Sequence, residues 1–184
     1  MLCLVSEVKN YLGITTIDST EDALIETLID GVSKLFEMYC GTVFEATEYT
    51  EFYDGDGTSC LFPYNYPITS ISGIWDDMSW EWGDNTKIEA TNYRIKNSNT
   101  IILRDIVFYD YEQNIKIIYT AGYITIPADI KQACVEETAR KYKGKEHIDM
   151  VSLSFGTEST TKYINDLLPT TKTVLSKYRK ISIC

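Results

Sequence analysis

Apolar side chains recur at helical spacing in two segments near the start of this 184-residue chain. Val8, Tyr11 and Leu12 share one face of a short helix over 6–12, for which Ser6 is a fitting N-cap and Gly13 a left-handed stop. The next segment carries the clearest amphipathic period of the chain: Ile25, Leu28, Ile29, Val32, Phe36 and Tyr39, ending at Cys40 and Gly41. Ser19, with Asp22 three residues on, has the form of a capping box at its start.

From Phe44 to Tyr123 the pattern changes to that of strands. Apolar runs at 49–53, 60–62, 68–75, 93–96, 101–103 and 115–119 are separated by turn residues, notably Asp54, Gly55, Asp56 and Gly57, then Pro63, Pro67 and Gly122. Ile115, Ile117 and Tyr119 alternate with Lys116 and Ile118, as in a strand with one face well buried and the other partly covered. Helical spacing returns after Pro127, which suits a first helical position, with Ile130, Cys134 and Tyr142 on one side and Gly144 as the stop. Residues 151–163 are polar and lean towards strand. Pro169 then opens a last short helix with Val174, Leu175 and Tyr178, and Lys177, Arg179 and Lys180 suit its C-terminal end, where the helix dipole favours cations.

These elements predict an α+β fold: a helical bundle of about four helices with an antiparallel β region inserted between the second and third. The expected organisation is one domain over 1–184, with a helical core at 1–43 and 125–148, the β insertion at 44–124 and a C-terminal segment at 149–184. At this length a hydrophobic content of 44% suffices to bury a real core.

Charge and composition then narrow the function. Twenty-seven acidic side chains against 17 basic ones leave a formal net charge of −10, which offers no electrostatic means of gripping a phosphate backbone. Met1 is followed by Leu2, Cys3, Leu4, Val5, Ser6 and Glu7, with neither a basic leader nor an apolar stretch long enough for a signal or a span. A soluble protein made in a cytoplasm, with no membrane contact, is expected. The five cysteines, Cys3, Cys40, Cys60, Cys134 and Cys184, are scattered, odd in number and never in a C-x-x-C pair. They read as reduced, mostly small apolar residues rather than a disulfide framework or a zinc site. His147 is the single histidine, so the usual general base and zinc ligand is nearly absent. No enzyme activity, catalytic residue, metal or cofactor is expected.

Four groups of residues are candidates for chemistry. Asp54, Asp56 and Thr58 take the first, third and fifth places of a calcium-loop spacing, but the twelfth is Asn65, which cannot supply the bidentate carboxylate, so a hairpin turn is the better reading. Cys60 or Cys134 with His147 would make a thiol and base, yet Cys134 lies on an apolar helix face and His147 comes after a helix stop in a polar loop. Trp75, Asp76, Asp77, Trp80, Glu81, Trp82 and Asp84 form an acidic aromatic segment holding all three tryptophans. Aromatics grouped on a loop are anchors that protein interfaces favour, which makes Trp75, Asp76, Asp77, Trp80 and Trp82 candidates to face a partner. Alternatively, Trp75 ends a core strand while Trp80 and Trp82 fold back over the sheet. Lys172, Lys177, Arg179 and Lys180, with Tyr178 among them, form a small basic patch in an acidic protein, either a solvated helix end or a docking surface for an acidic partner.

The order of motifs adds a further reading. Glu7 Val8 Lys9 Asn10 Tyr11 Leu12 comes first, then Leu24 Ile25 to Leu28 Ile29 running into Phe36 Glu37 Met38 Tyr39 Cys40 Gly41. Pro67 Ile68 Thr69 Ser70 Ile71 is next, then Tyr119 Thr120 Ala121 Gly122 Tyr123, Ile126 Pro127 Ala128 Asp129 Ile130, and Leu175 Ser176 Lys177 Tyr178 Arg179. Each fragment is short, but together they cover the chain and resemble the head-to-tail connector (adaptor, head completion) family of tailed bacteriophages.

The resemblance implies a structural virion protein of the neck, made in the bacterial host cytoplasm. It implies a closed ring of about twelve copies with heterologous contacts between neighbours. One face of the ring meets the portal protein and the other the stopper or head-completion protein, with DNA only as passing cargo in the channel. The family's C-terminal segment reaches towards the portal, which points here to Tyr163, Leu175, Lys177, Tyr178, Arg179 and Lys180. The acidic balance fits a channel through which DNA slides without sticking. The alternative is a stopper or tail-completion ring subunit of the same neck assembly, a type expected to be mainly β. An enzyme using Cys134 and His147, and a calcium-binding module on Asp54, Asp56 and Thr58, are weaker readings.

Overall fold

The apolar period from Ile25 to Tyr39 does lie in one helix, and the strand runs and later helices come in the expected order. The computed structural model describes residues 1–15, 19–147, 152–155, 159–162 and 166–180. Helices α1 (Val5–Leu12) and α2 (Asp22–Cys40) are followed by strands β1 (Thr47–Gly55), β2 (Cys60–Leu61), β3 (Ile68–Asp76), β4 (Tyr93–Lys96), β5 (Thr100–Leu103) and β6 (Tyr111–Ala121). Helix α3 (Ala128–Lys143), strands β7 (Ser152–Phe155) and β8 (Ser159–Lys162) and helix α4 (Pro169–Ser176) complete the chain. Residues 1–41 and 126–184 form one compact unit, here the helical unit; residues 42–125 form a second, the strand unit.

In the helical unit Ile25, Ile29, Val32 and Phe36 of α2 are buried, as are Val8 of α1 and Ile130, Cys134 and Ala139 of α3. The ends of the helices show local chemistry that only partly matches the sequence reading. Gly41 stops α2 in the left-handed region, at φ 66°, with its N–H on the Glu37 carbonyl at 2.8 Å. Helix α1 starts before Ser6: Leu4 is its N-cap, and the Glu7 carboxylate accepts the Leu4 N–H at 2.9 Å. That is the glutamate half of a capping box without the hydroxyl half. Ser19 does not cap α2 with its side chain; its carbonyl accepts the Asp22 N–H at 3.2 Å, and the Asp22 carboxylate pairs instead with the buried Lys9. Pro127 precedes α3 rather than opening it, and Gly144, at φ −78°, begins a 3-10 turn over Gly144–His147 instead of a left-handed stop.

In the strand unit β6 is the centre of an antiparallel sheet ordered β1–β6–β3, and β5 the centre of a second, ordered β2–β5–β4. Tyr119 lies opposite Tyr49 on one side and Ile71 on the other. Because alternate residues of a strand share a face, Ile115, Ile117, Tyr119 and Ala121 all enter one core with Leu61, Ile68, Ile74, Ile101, Leu103 and Phe108. Gly122 comes next at φ 114°, where any Cβ would collide with the Glu45 carbonyl, so only glycine fits where the chain leaves the sheet.

Two polar devices sit in this apolar setting. The Tyr119 hydroxyl donates to Glu51 at 2.8 Å and accepts the Asn65 N–H at 3.0 Å, while Tyr53 also donates to Glu51, which fastens the loop before β3 to the sheet. Burial, reinforced by the Glu51 hydrogen bonds, raises both tyrosine pKa values. The other device is Asn114, fully buried on β6. Its Oδ1 accepts the Gly55 N–H at 2.8 Å, its Nδ2 donates to Asp76 Oδ1 at 2.6 Å and to the Tyr109 carbonyl at 2.9 Å, and its own carbonyl accepts the Asp77 N–H at 2.7 Å.

The expected helical bundle bearing an inserted β region is corrected by this arrangement. Helices α1 and α4 have only 8 residues each, about two turns, too short to line a matched four-helix bundle. Residues 42–125 supply enough apolar side chains to close a core of their own between the strands of two sheets, so the chain is α+β with a central strand-rich region. Among the described residues no helix is long and apolar enough to cross a membrane.

Asn114→Ala is expected to destabilise the strand unit by about 2–4 kcal/mol, because it removes the amide that the Gly55 N–H, the Asp76 Oδ1 and the Tyr109 carbonyl bond to. Urea denaturation followed by tryptophan fluorescence measures that loss as a lowered midpoint.

Candidate interaction surfaces

The tryptophan segment is wound around one carboxylate. Asp77 is buried, and its Oδ1 accepts the Ser79 hydroxyl at 2.6 Å and the Ser79 N–H at 2.8 Å. Its Oδ2 accepts the Trp82 N–H at 2.8 Å and the Thr86 hydroxyl at 3.3 Å. The Ser79 hydroxyl above all, with these other donors, holds the Asp77 pKa down at about 2. Within the loop Trp80 and Trp82 have φ of 59° and 55°, a left-handed backbone that bulky side chains rarely adopt. Such a conformation persists only where surrounding bonds over-determine it, and Asp77 supplies those bonds.

The three tryptophans do not share one role. Trp75, on β3, is half-buried beneath Lys87 and Lys116, whose ammonium groups each lie 5.0 Å from its ring centroid; Gly73 leaves the room, since a Cβ there would run into the ring. Trp82 is half-buried against Phe52, ring centroids 5.4 Å apart. Trp80 is the one presented to solvent, 53% exposed, with its ring 6.1 Å from Tyr111. Asp76 is half-buried and holds the Tyr109 N–H at 2.9 Å as well as Asn114; burial raises its pKa against those hydrogen bonds. Asp76 and Asp77 thus shape the loop, and of the three tryptophans Trp80 is the exposed one.

The C-terminal residues are separated in the same way. Tyr163 lies outside the described residues. Leu175 is buried in the helical unit with Leu167 and Thr171. What seats them is Glu137, fully buried on α3: its Oε2 accepts Arg140 Nε at 2.6 Å and its Oε1 accepts the Leu168 N–H at 2.8 Å, at the threshold of α4. Arg140 also donates to the Asp166 carbonyl at 3.1 Å. Beyond α4 the half-buried Tyr178 donates its hydroxyl to Asp129 at 2.7 Å, and the exposed Lys177 lies 3.9 Å from the same carboxylate. The Arg179 guanidinium sits 5.9 Å from the Tyr39 ring centroid, and the Lys180 N–H donates to the Cys40 carbonyl at 2.9 Å. Glu137 escaped the sequence reading. Its signal was an acidic residue seven positions after Ile130, on the face of the helix that carries the core.

The calcium-like turn and the cysteines have structural places too. Asp56 turns its Oδ1 to the Thr58 hydroxyl at 2.7 Å and the Thr58 N–H at 3.0 Å, while Asp54 accepts the Gln113 N–H at 2.7 Å, so both carboxylates serve the turn. Among the described residues no group of three or more His, Cys, Asp or Glu side chains is arranged to hold a metal. Cys60 is half-buried on β2. Cys134 is buried on α3 with its sulfur 3.5 Å from that of Cys3, and the His147 side chain lies outside the described residues.

A family model described as head completion protein matches residues 1–181. The chain belongs to the head completion protein family. Solved structures share its fold. A chain from the neck of an empty gene transfer agent (GTA) particle, computed with C6 symmetry, aligns with a TM-score of 0.64 at 13% identity, over 98% of this chain and 90% of that one. A chain from the neck of the native GTA particle, computed with C12 symmetry, gives 0.62 at 14% identity with the same coverage. A chain from the virion of the native particle gives 0.61 at 15% identity. No curated protein matches the chain in sequence. Membership in the head completion family therefore rests on sequence, and the neck structures add the fold.

These geometries lead to two expected outcomes. Because the folded pKa of Asp77 is about 2, below its ordinary value of 3.8, its contribution is present above pH ~4 and lost as the pH falls through about 2. Wild-type tryptophan fluorescence should accordingly hold through about pH 4 and shift red as the pH falls towards about 2, whereas Asp77→Asn should start red-shifted and change less. Glu137→Ala, which removes the carboxylate held by Arg140 Nε and the Leu168 N–H, is expected to cost about 2–3 kcal/mol and to open Lys172 and Lys177 to trypsin well before the strand unit is cut.

Proposed function

We propose that this head completion protein is a structural subunit of the neck of a tailed phage or phage-like virion, forming a ring layer that docks on the portal and joins the DNA-filled head to the tail. The observation that carries the reading is the family match over residues 1–181, essentially the whole described chain. A ring is supported by the fold shared with chains of necks solved under sixfold and twelvefold symmetry. Its partners on this reading are further copies of itself, the portal protein on one face and a stopper on the other. No reaction is assigned to it.

Charge supports the same role. A chain with a formal net charge of −10 has little to gain by counterion release when it meets phosphate, which supports DNA passing through a ring of such subunits as cargo. On the side of the portal, the exposed groups available after α4 are Lys177 and Arg179, while Leu175 acts from within the core.

A stopper or tail-completion subunit is the second reading, favoured by one observation, the two three-stranded sheets of the strand unit. Mixing the purified chain with rings of its cognate portal protein and imaging by negative-stain electron microscopy separates the two. An added layer on the portal is the expected outcome and gives the symmetry; bare portals beside free protein move the chain to the stopper or tail side.

A further inference from the structure

Charge is divided unevenly between the two units. The strand unit carries 13 acidic and 5 basic side chains, net −8, whereas the helical unit carries 14 and 12, net −2. In the strand unit the loops at 54–58, 77–84 and 105–113 are drawn to one tip: Asp54 accepts the Gln113 N–H at 2.7 Å, the Thr58 carbonyl accepts the Phe108 N–H at 2.9 Å, and Trp80 packs beside Tyr111. These loops contain no lysine or arginine. They expose Met78, Trp80, Val107, Tyr109 and Tyr111, bordered by the exposed carboxylates of Asp56, Glu81, Asp110 and Glu112. An exposed apolar patch with a polar rim is the mark of a protein interface, and a rim of one sign selects a partner of the other.

The helical unit offers a surface of that kind. Met38, near the end of α2, is 80% exposed, the neighbouring Tyr39 carries Arg179 over its ring, and Lys177 is exposed just after α4. Cations beside an apolar side chain complement an acidic, aromatic patch: the carboxylates meet Lys177 and Arg179, the ring of Trp80 can accept a cation on its face, and Met38 is a soft, adaptable apolar contact.

We propose that the aromatic tip of one copy's strand unit docks on the Met38, Tyr39 and Arg179 face of a second copy's helical unit. Two unlike surfaces on one chain are what a head-to-tail contact needs, and repetition of that contact with the right rotation closes a ring. The inference rests on the ring reading above and names the contact by which such a ring is held.

Charge reversal tests it on the full chain. Glu81→Lys with Glu112→Lys reverses the rim of the tip; Lys177→Glu with Arg179→Glu reverses the helical face, and near-ultraviolet circular dichroism checks that each variant folds. By sedimentation velocity, wild type is expected to self-associate with concentration and to do so about tenfold more weakly at high salt. Each reversed variant alone should associate at least about tenfold more weakly than wild type, and an equimolar mixture of the two should recover association, since reversed tip then meets reversed face. A carbodiimide, which joins a carboxylate to an amine in direct contact, should link Glu81 or Glu112 to Lys177 between wild-type copies. Association that both reversals leave untouched, or cross-linked dimers without that linkage, overturns the proposal. Wild type that stays monomeric yet adds a layer to portal rings overturns this contact and leaves the neck reading standing; wild type that associates as expected but never joins a portal ring supports the contact and removes the portal reading.

Discussion

The side-chain amide of Asn114 sits inside the strand unit where water cannot reach it, and it behaves as a piece of backbone placed between strands. It closes the end of β1 through Gly55, holds β3 through Asp76, takes the Tyr109 carbonyl of the incoming loop, and through its own carbonyl positions Asp77. In a low-dielectric interior each of these bonds is stronger than in water, and each would be costly if left unmade. Asp77 in turn organises the loop that carries Trp80 and Trp82. The exposed aromatic tip is therefore the last step of a chain of hydrogen bonds that begins at a single residue of the central strand.

This dependence explains the position of the tryptophans. A left-handed backbone at two bulky residues is unfavourable, and nothing in their own chemistry calls for it. It is imposed from beneath by a carboxylate with four donors to satisfy. The same logic holds at the other unit, where Glu137, buried beside Arg140, fixes the entry to α4 and thereby sets where Lys177 and Arg179 emerge. In both units a buried acid determines the geometry of an exposed surface.

Much of the layout could be read from periodicity and punctuation. The heptad-like spacing of Ile25, Ile29, Val32 and Phe36 marked α2, Gly41 marked its stop, Pro169 opened α4, and the alternation of Ile115, Ile117 and Tyr119 marked the central strand. The fold class was misjudged because a hydrophobic pattern tells which side chains seek burial and not what they are buried against. Isoleucines and leucines between 61 and 117 look the same whether they decorate a bundle or close a core of their own. In the candidate interaction segments, the aromatic composition marked out a stretch but could not separate the exposed Trp80 from the half-buried Trp75 and Trp82, which needs the register of β3 and the fold of the loop. Asp77 and Glu137 were read as surface charge or passed over, since a buried carboxylate shows itself only once its donors, contributed from five to 31 positions away in the case of Trp82 and Leu168, are in place.

The two units also differ in how their cores are drawn from the chain. The strand unit is a continuous segment, 42–125, whereas the helical unit combines Leu2, Cys3 and Val8 with Ile130, Leu167 and Leu175. During synthesis, in which domains fold as units from the N-terminal side, the strand unit can close while the ribosome is still adding residues 126 onward. Helix α2 must wait, its apolar face uncovered, until α3 and α4 emerge. The Tyr39 and Arg179 pair exists only after residue 179 has been made, so a half-finished chain already carries its exposed aromatic tip while this part of the helical unit has yet to form.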